Sequence, residues 1–222
     1  MPAQAVENPW ALQVMEAMMP DMWAQLPYWT NVASPGQTYG GDRQAPGDPT
    51  TQAVHRDQPH LFPEADVYLP PHALIQHITL CEFADANGST ELWPKTHRLF
   101  DTAHDDMGGG YSPQRWAGAE ARAASVPSVN MNCPAGSIMV RDMRMWHRAR
   151  PNTTDTPRPM LSYICWRDLG WTAAGARSGT EYGPKAVQPI PPEAAARLSE
   201  RGRVLARYNI AAAEQGRSDP RL

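Results

Sequence analysis

The amino-acid sequence predicts an all-β core, a sandwich or jelly roll, with α-helices at its two ends. Short apolar and β-branched runs alternate with turn residues between about residues 50 and 168. The 23 prolines and 16 glycines among 222 residues indicate many turns without reaching a disordered composition. Helical periodicity occurs only outside this region. We expect one domain over residues 1–222, with an N-terminal helical segment at 1–33, a jelly-roll core at 50–168 and a C-terminal helix at 191–216.

The N-terminal segment has a helical pattern over residues 8–25. Asn8 can cap the helix and Pro9 suits its first turn, whereas Pro20 is expected to break or kink it. The apolar residues that recur at three- and four-residue steps are Leu12, Met15, Met19 and Trp23.

Strand-like runs follow a polar loop at residues 34–51, which is rich in glycine and proline. A second polar excursion spans residues 101–127 and contains three consecutive glycines. At the C-terminal end, one apolar helical face includes Leu198 and Leu205. The predicted strands are residues 52–57, 73–84, 90–94, 129–132, 137–142, 145–150 and 159–167.

Composition excludes several classes of function. The net charge of −3 and pI of about 6.1 give no basic surface for nucleic acid or membrane lipid. No apolar run approaches the roughly 20 residues that span a bilayer, and the N-terminus lacks the pattern of a signal peptide. The three widely spaced cysteines are interpreted as free thiols, which suits a reducing cytoplasm that also keeps iron ferrous.

One motif indicates chemistry. His55 and Asp57 alternate on a predicted strand, so both side chains lie on one face. His147 lies 92 positions later, at the end of another predicted strand. Two histidines and one carboxylate can hold Fe(II) on one face and leave three positions open for other ligands. Arg158, 11 residues further on, precedes an apolar run where a guanidinium would need an anionic partner, unless it is a strand-end arginine that reaches water.

The HxD motif is weak by itself, because a second copy occurs at His104-Asp105-Asp106. That copy lies in a polar stretch without a flanking apolar strand to hold it, so the pair at 55 and 57 is preferred. The other histidines need no metal, and His77 is interpreted as a surface or hydrogen-bonded strand residue. Trp93, Trp146 and Trp166 are expected to be core residues.

The order of motifs over roughly residues 50–168 resembles the phytanoyl-CoA dioxygenase family of Fe(II)- and 2-oxoglutarate-dependent oxygenases. The combined order and spacing carry the resemblance, whereas any single motif does not. The matching segments are His55-Arg56-Asp57, Asn87-Gly88, Pro94-Lys95-Thr96-His97, Pro134-Ala135-Gly136-Ser137, His147 and Arg158.

The resemblance implies a double-stranded β-helix, a cupin-like jelly roll, with Fe(II) held by His55, Asp57 and His147. It implies that Arg158 binds the distal carboxylate of 2-oxoglutarate. It suggests further polar contacts to this cosubstrate from Gln52, Thr90 and Asn152, although the first two could equally face solvent and Asn152 could be a turn residue. The implied reaction uses O2 to hydroxylate a small organic substrate and releases succinate and CO2.

Departures from the family pattern leave alternatives open. Lys95 and Thr96 stand where the family has glycine and serine, and Ala149 stands where such sites often have a hydroxyl two residues after the distal histidine. The region before the motif is also short, as in a trimmed or divergent form. Two alternatives are a non-catalytic jelly-roll protein that binds a small ligand and a metal-dependent cupin-like enzyme that does not use 2-oxoglutarate. The substrate and the oligomeric state are not readable, and the loops expected to select the substrate are residues 34–51, 58–72 and 101–127.

Overall fold

Nine strands form the framework of the protein in the residues that the computed structural model describes, which are 6–40, 43–62, 67–99, 119–178, 184 and 186–214. All pairings between these strands are antiparallel. The strands are β1 (Met22–Ala33), β2 (Gln44–Ala45), β3 (Asp48–Gln52), β4 (Ala73–Thr79), β5 (Glu91–Leu92), β6 (Val129–Asn130), β7 (Ile138–Asp142), β8 (His147–Arg148) and β9 (Arg158–Arg167).

Two sheets enclose the interior of the domain. The larger sheet has the order β1-β9-β4-β7 and the smaller one has the order β6-β5-β8. The chain that leaves the β2–β3 hairpin runs alongside β8, because Gln52 N–H donates to the Ala149 carbonyl and His55 forms a bridge with His147. This alternation of strands between two sheets is a jelly roll, so the predicted fold class is confirmed.

The N-terminal helix α1 (Pro9–Met18) is shorter than predicted. The Asn8 side chain accepts hydrogen bonds from two backbone N–H groups of the first turn, as expected of a cap. The prediction that residues 1–33 are helical is wrong beyond this point, because β1 begins at Met22. Pro20 cannot continue the helix, and Asp21 takes a left-handed conformation with φ of 57°. The chain then pairs with β9 over Met22–Gln25 and Trp29–Ala33, which provides partners for backbone groups of these residues.

The C-terminal part contains three short helices where a single helix over 191–216 is predicted. They are α3 (Pro192–Ala196), α4 (Glu200–Leu205) and α5 (Arg207–Glu214), preceded along the chain by α2 (Gly170–Ser178). Ser199 starts a new helix by accepting a hydrogen bond from Gly202 N–H at 3.1 Å, which interrupts the periodic pattern. The predicted apolar face is nevertheless buried, since Leu198 and Leu205 pack in one cluster with Leu12 and Met15 of α1.

The excursion predicted at 101–127 lies partly outside the described residues. Its described end forms a helical turn at 119–123 that packs Ala119 and Ala123 against Trp93 and Trp146. These two tryptophans and Trp166 are buried, which confirms them as core residues.

Among the described helices, none combines the length and apolar character that crossing a membrane requires.

Candidate metal centre and adjoining cavity

The backbones of His55 and His147 bring two distant segments together. Each residue donates its N–H to the carbonyl of the other, at 3.0 and 2.9 Å. This closely paired bridge places the two imidazole rings side by side, with centroids 4.2 Å apart and an angle of 48° between their planes. The predicted convergence of these two histidines is therefore a property of strand pairing.

Asp57 lies beside both rings because a second backbone contact holds its segment. The N–H groups of Asp57 and Gln58 both donate to the Met143 carbonyl, at 3.0 and 3.1 Å. One carboxylate oxygen of Asp57 is 3.8 Å from His55 Nε2 and the other is 3.5 Å from His147 Nε2. A first-row metal ion with bonds of about 2.1 Å can bridge such separations.

Hydrogen bonds from the far side of each ring favour the tautomer that a metal needs. His55 Nδ1 is 2.9 Å from the Ala53 carbonyl, and His147 Nδ1 is 3.1 Å from the Met145 carbonyl. A carbonyl can only accept, so each Nδ1 carries the proton and each Nε2 keeps a lone pair. Backbone carbonyls in this position orient metal-binding histidines in many proteins. The three residues thus fit a metal ion.

The surroundings also favour the ionisation states that ligands need. Burial and the neighbouring His147 lower the pKa of His55 to about 3, so its ring is neutral at physiological pH. Burial raises the pKa of Asp57, but His147, Arg141 and His55 together outweigh that effect and hold it well below its usual range. A neutral imidazole and an ionised carboxylate are the forms that bind a metal.

Arg158 lies in the same cavity as the three candidate ligands, at the start of β9. It is 3% exposed, and its Nε and Nη1 have no hydrogen-bond acceptor among the described residues. Its guanidinium carbon lies 4.2 Å from the centre of the Phe83 ring, which is within the range of a cation–π contact. A buried guanidinium with free donors is a site for an anion.

Tyr39 is a neighbour of Arg158 that the sequence did not single out. It lies in the long loop after β1 and lines the cavity. Burial raises the pKa of its phenol, and the charge of Arg158 partly opposes that effect. The only sequence feature that indicated a functional role for Tyr39 is its position in the loop 34–51, which is expected to select the substrate.

The three weaker candidates for cosubstrate contacts occupy different positions. Gln52 and Thr90 both line the cavity, and the Gln52 side-chain oxygen accepts a hydrogen bond from Ala149 N–H at 3.1 Å. Asn152 is not among the lining residues. Its amide donates to the carbonyls of Ala33 and Thr156, at 2.8 and 2.7 Å, so its donors are used in holding a turn. This position does not support a contact between Asn152 and the cosubstrate.

The cavity has a volume of about 370 Å³ and lies between the two sheets. Its wall includes two polar residues of the larger sheet that sequence reasoning did not assign to the site, His77 and Arg141. His77 is hydrogen-bonded, as predicted, but it is buried and not at the surface. Arg141 follows three apolar residues within β7. A charged residue in such an apolar strand is the sequence feature that could have indicated a functional role. The second HxD pair lies outside the described residues.

The chain matches a known family over most of its length. The model of the family described as phytanoyl-CoA dioxygenase matches residues 7–160.

Solved structures share the fold at low identity. The carbocyclase SnoK of nogalamycin biosynthesis is 17% identical, with a TM-score of 0.54 over 82% of this chain and 66% of that one. The epimerase SnoN, in complex with Fe3+, alpha ketoglutarate and nogalamycin RO, is 20% identical, with a TM-score of 0.51 over 74% and 57%. EvdMO1 is 16% identical, with a TM-score of 0.51 over 75% and 32%. The chain thus spans from 32% to 66% of the length of these structures.

Proposed function

Since the chain belongs to the phytanoyl-CoA dioxygenase family, we propose that it is an Fe(II)- and 2-oxoglutarate-dependent oxygenase that hydroxylates a small organic substrate. One observation carries the proposal. His55, Asp57 and His147 offer three ligand atoms that all lie within 4.8 Å of one another, and the cavity beside them contains a buried arginine with free donors.

The three ligands would hold Fe(II) through His55 Nε2, His147 Nε2 and one Asp57 oxygen. When bound, iron and 2-oxoglutarate would activate O2 so that one oxygen atom is inserted into a C–H bond of the substrate. The other oxygen atom enters succinate, and CO2 is released. The known complex of SnoN with Fe3+ and alpha ketoglutarate supports this pair of cofactors. Because Asp57 occupies the carboxylate position, a halide has no vacant protein-ligand site, and hydroxylation is the preferred outcome.

Arg158 would bind the distal carboxylate of 2-oxoglutarate. Its Nε and Nη1 are free among the described residues, and a guanidinium can pair with a carboxylate through two parallel hydrogen bonds. Tyr39 can donate its phenolic proton to the same carboxylate, since it lines the cavity near Arg158. Gln52 and Thr90 also line the cavity and remain candidates for further polar contacts. Such contacts would orient the cosubstrate without adding charge.

The cavity excludes bulk water from the ligands to a large degree. The His55, Asp57 and His147 side chains are 13%, 27% and 10% exposed. A volume of about 370 Å³ is near the lower end of the range for small-molecule sites, so cosubstrate and substrate together must be small.

The test is an anaerobic titration with Fe(II) and then 2-oxoglutarate. We expect a weak visible charge-transfer band that needs both additions, and succinate formation once O2 and a substrate are supplied. Metal binding without a band would favour the alternative of a metal-dependent enzyme that does not use 2-oxoglutarate. Absence of any metal affinity would favour a ligand-binding protein without catalytic activity.

A further inference from the structure

We propose that Arg141 and His77 form a second carboxylate subsite beside the metal centre, and that the substrate is therefore a small monocarboxylic acid. This inference rests on the proposed function, because it assigns the substrate class of the same cavity. Its ligand is the molecule to be oxidised, whereas Arg158 serves the cosubstrate.

Strand register places the two residues together. On the larger sheet, Arg141 of β7 is opposite Ile75 of β4, and His77 is two residues further along β4. Residues two apart on a strand share a face, and diagonal neighbours across an antiparallel pair are within reach of long side chains. Both Arg141 and His77 line the cavity.

Arg141 is a buried cation with spare donors. Its side chain is 2% exposed and its Nε has no acceptor among the described residues. Nη2 donates to an Asp57 oxygen at 2.6 Å. Nη1 is 3.2 Å from His147 Nδ1, but that nitrogen carries a proton in the metal-binding tautomer and cannot accept from Arg141. Nη2 is also 3.4 Å from His147 Nε2, whose lone pair a bound metal would take. In the metal-loaded site Arg141 would thus keep one shared carboxylate, and its Nε has no acceptor among the described residues, so an added anion would be bound favourably.

The charge balance of the cavity wall gives the same conclusion. Its ionised lining residues are Arg141, Arg158 and Asp57, so two positive charges and one negative charge leave a net charge of +1. Fe(II) and doubly negative 2-oxoglutarate cancel each other, which leaves this charge unchanged. A substrate with one negative charge would neutralise it, and an uncompensated charge in a water-poor cavity is costly.

His77 supplies a neutral donor beside Arg141. Asn31 Nδ2 donates to Ser162 Oγ at 2.8 Å, and Ser162 Oγ is 2.7 Å from His77 Nδ1. The hydroxyl has a single proton, and His77 Nδ1 is the acceptor that the described residues offer it. His77 Nδ1 is then unprotonated, so the ring carries its proton on Nε2. One carboxylate oxygen can pair with Arg141 and the other can accept from His77.

This arrangement also fixes which part of the acid is near the metal. Arg141 contacts Asp57 directly, so a carboxylate on Arg141 lies next to the three ligands. The carbons closest to the carboxylate would be the ones presented for oxidation.

The experiment uses the full chain loaded anaerobically with Fe(II) and 2-oxoglutarate. The probes are butyrate, hexanoate, benzoate and phenylacetate, each compared with its primary amide, and the readouts are the charge-transfer band and the thermal midpoint. We expect at least one acid to bind ten times more tightly than its amide. In Arg141→Met that acid should bind at least ten times more weakly, while 2-oxoglutarate affinity changes less than threefold.

The variant His77→Leu should weaken the same acid about tenfold, and His77→Gln should retain most of the affinity because it keeps a donor. This pair tests the subsite even if Arg141→Met does not fold.

Equal binding of acids and amides, or no binding by any of the four acids, would overturn the subsite. Loss of 2-oxoglutarate affinity in Arg141→Met as large as that in Arg158→Met would instead assign Arg141 to the cosubstrate and overturn the inference alone. Failure of the wild-type protein to give the band would refute the proposed function, and the inference with it.

Discussion

His55 and His147 exchange two backbone hydrogen bonds, at 3.0 and 2.9 Å, and their rings stand 4.2 Å apart. The two histidines are therefore positioned by one backbone bridge, and Asp57 is held beside them by the hydrogen bond from its N–H to the Met143 carbonyl. Backbone hydrogen bonds hold all three segments, so little reorganisation is needed on binding. Removing one ligand should accordingly affect the metal far more than the fold.

Each of the variants His55→Ala, Asp57→Ala and His147→Ala should bind Fe(II) more than about 100-fold more weakly. Loss of a residue that only hydrogen-bonds to a metal ligand costs roughly 10- to 100-fold, and loss of the ligand itself should cost more. Coupled succinate formation should disappear. Anaerobic metal titration and a succinate assay are the measurements. The matched control is His104→Ala in the other HxD motif, which should leave both unchanged. Unchanged turnover in any of the three variants would rule out the proposed ligand set.

Arg158→Ala should weaken 2-oxoglutarate binding by roughly 10- to 100-fold, since a charged hydrogen-bonded pair contributes about 1.5–3 kcal/mol. Fe(II) affinity should stay the same. Arg158→Lys should recover only part of the loss, because an ammonium cannot pair through two parallel bonds. The measurement is the cosubstrate dependence of the charge-transfer band. Arg197→Ala at an exposed position is the control, and an unaltered affinity in Arg158→Ala would refute the assigned role.

His72 should make the protein less stable in mild acid. Its side chain is buried, its Nε2 has no acceptor among the described residues, and burial together with Arg144 lowers its pKa to about 4. The unfolded chain takes up the proton near pH 6.5, so the stabilisation is complete above that pH and is lost as the pH falls towards 4. Between pH 7.5 and 5.5 this residue should cost about 1 kcal/mol.

Urea unfolding of wild type and His72→Gln at both pH values measures this contribution. Glutamine does not titrate, so the variant should lose about 1 kcal/mol less than the wild type between the two values. Identical losses would show that His72 does not titrate as described.

Gly88→Ala should destabilise the protein more than Gly136→Ala. Both glycines have positive φ, of 79° and 82°, so both variants carry the strain of the left-handed conformation, about 1–2 kcal/mol. A Cβ at Gly88 would also lie 2.8 Å from the Arg150 carbonyl oxygen, whereas a Cβ at Gly136 has open space. Denaturant unfolding of the two variants isolates the clash as their difference. Equal destabilisation would mean that the neighbouring backbone moves without cost.

Arg144→Met should be strongly destabilising. Arg144 donates to both oxygens of Asp142, from Nε at 3.0 Å and Nη2 at 2.6 Å, and it is 1% exposed. Loss of one partner leaves a buried charge, at a cost of about 3–5 kcal/mol. The control is Arg201→Met, which breaks the exposed pair with Glu16 and should cost no more than about 1 kcal/mol. A similar free energy of unfolding for both variants would contradict this view of the buried pair.

Local patterns in the sequence determined much of the fold. Turn residues and β-branched runs located most of the strands, and the cap at Asn8 located the first helix. These local patterns gave a wrong prediction where a helical spacing and a strand coincide in one short segment. The segment Met22–Ala33 continues a helical spacing in its first residues, yet it forms a strand because β9 offers a partner on either side of an irregularity between Gln25 and Trp29. Pairing between residues so far apart in the chain cannot be read from spacing.

The sequence by itself determined the residue types of the candidate site and the order in which they occur, since HxD, a distal histidine and a later arginine are all visible in one dimension. Only the tertiary structure decided which polar residues face the same cavity. Strand register places the side chains of Arg141 and His77 in the cavity wall. The amide of Asn152 instead donates to backbone carbonyls that hold a turn. The physical reason is that register and facing depend on backbone pairing across the whole domain, whereas sequence patterns report only on neighbours along the chain.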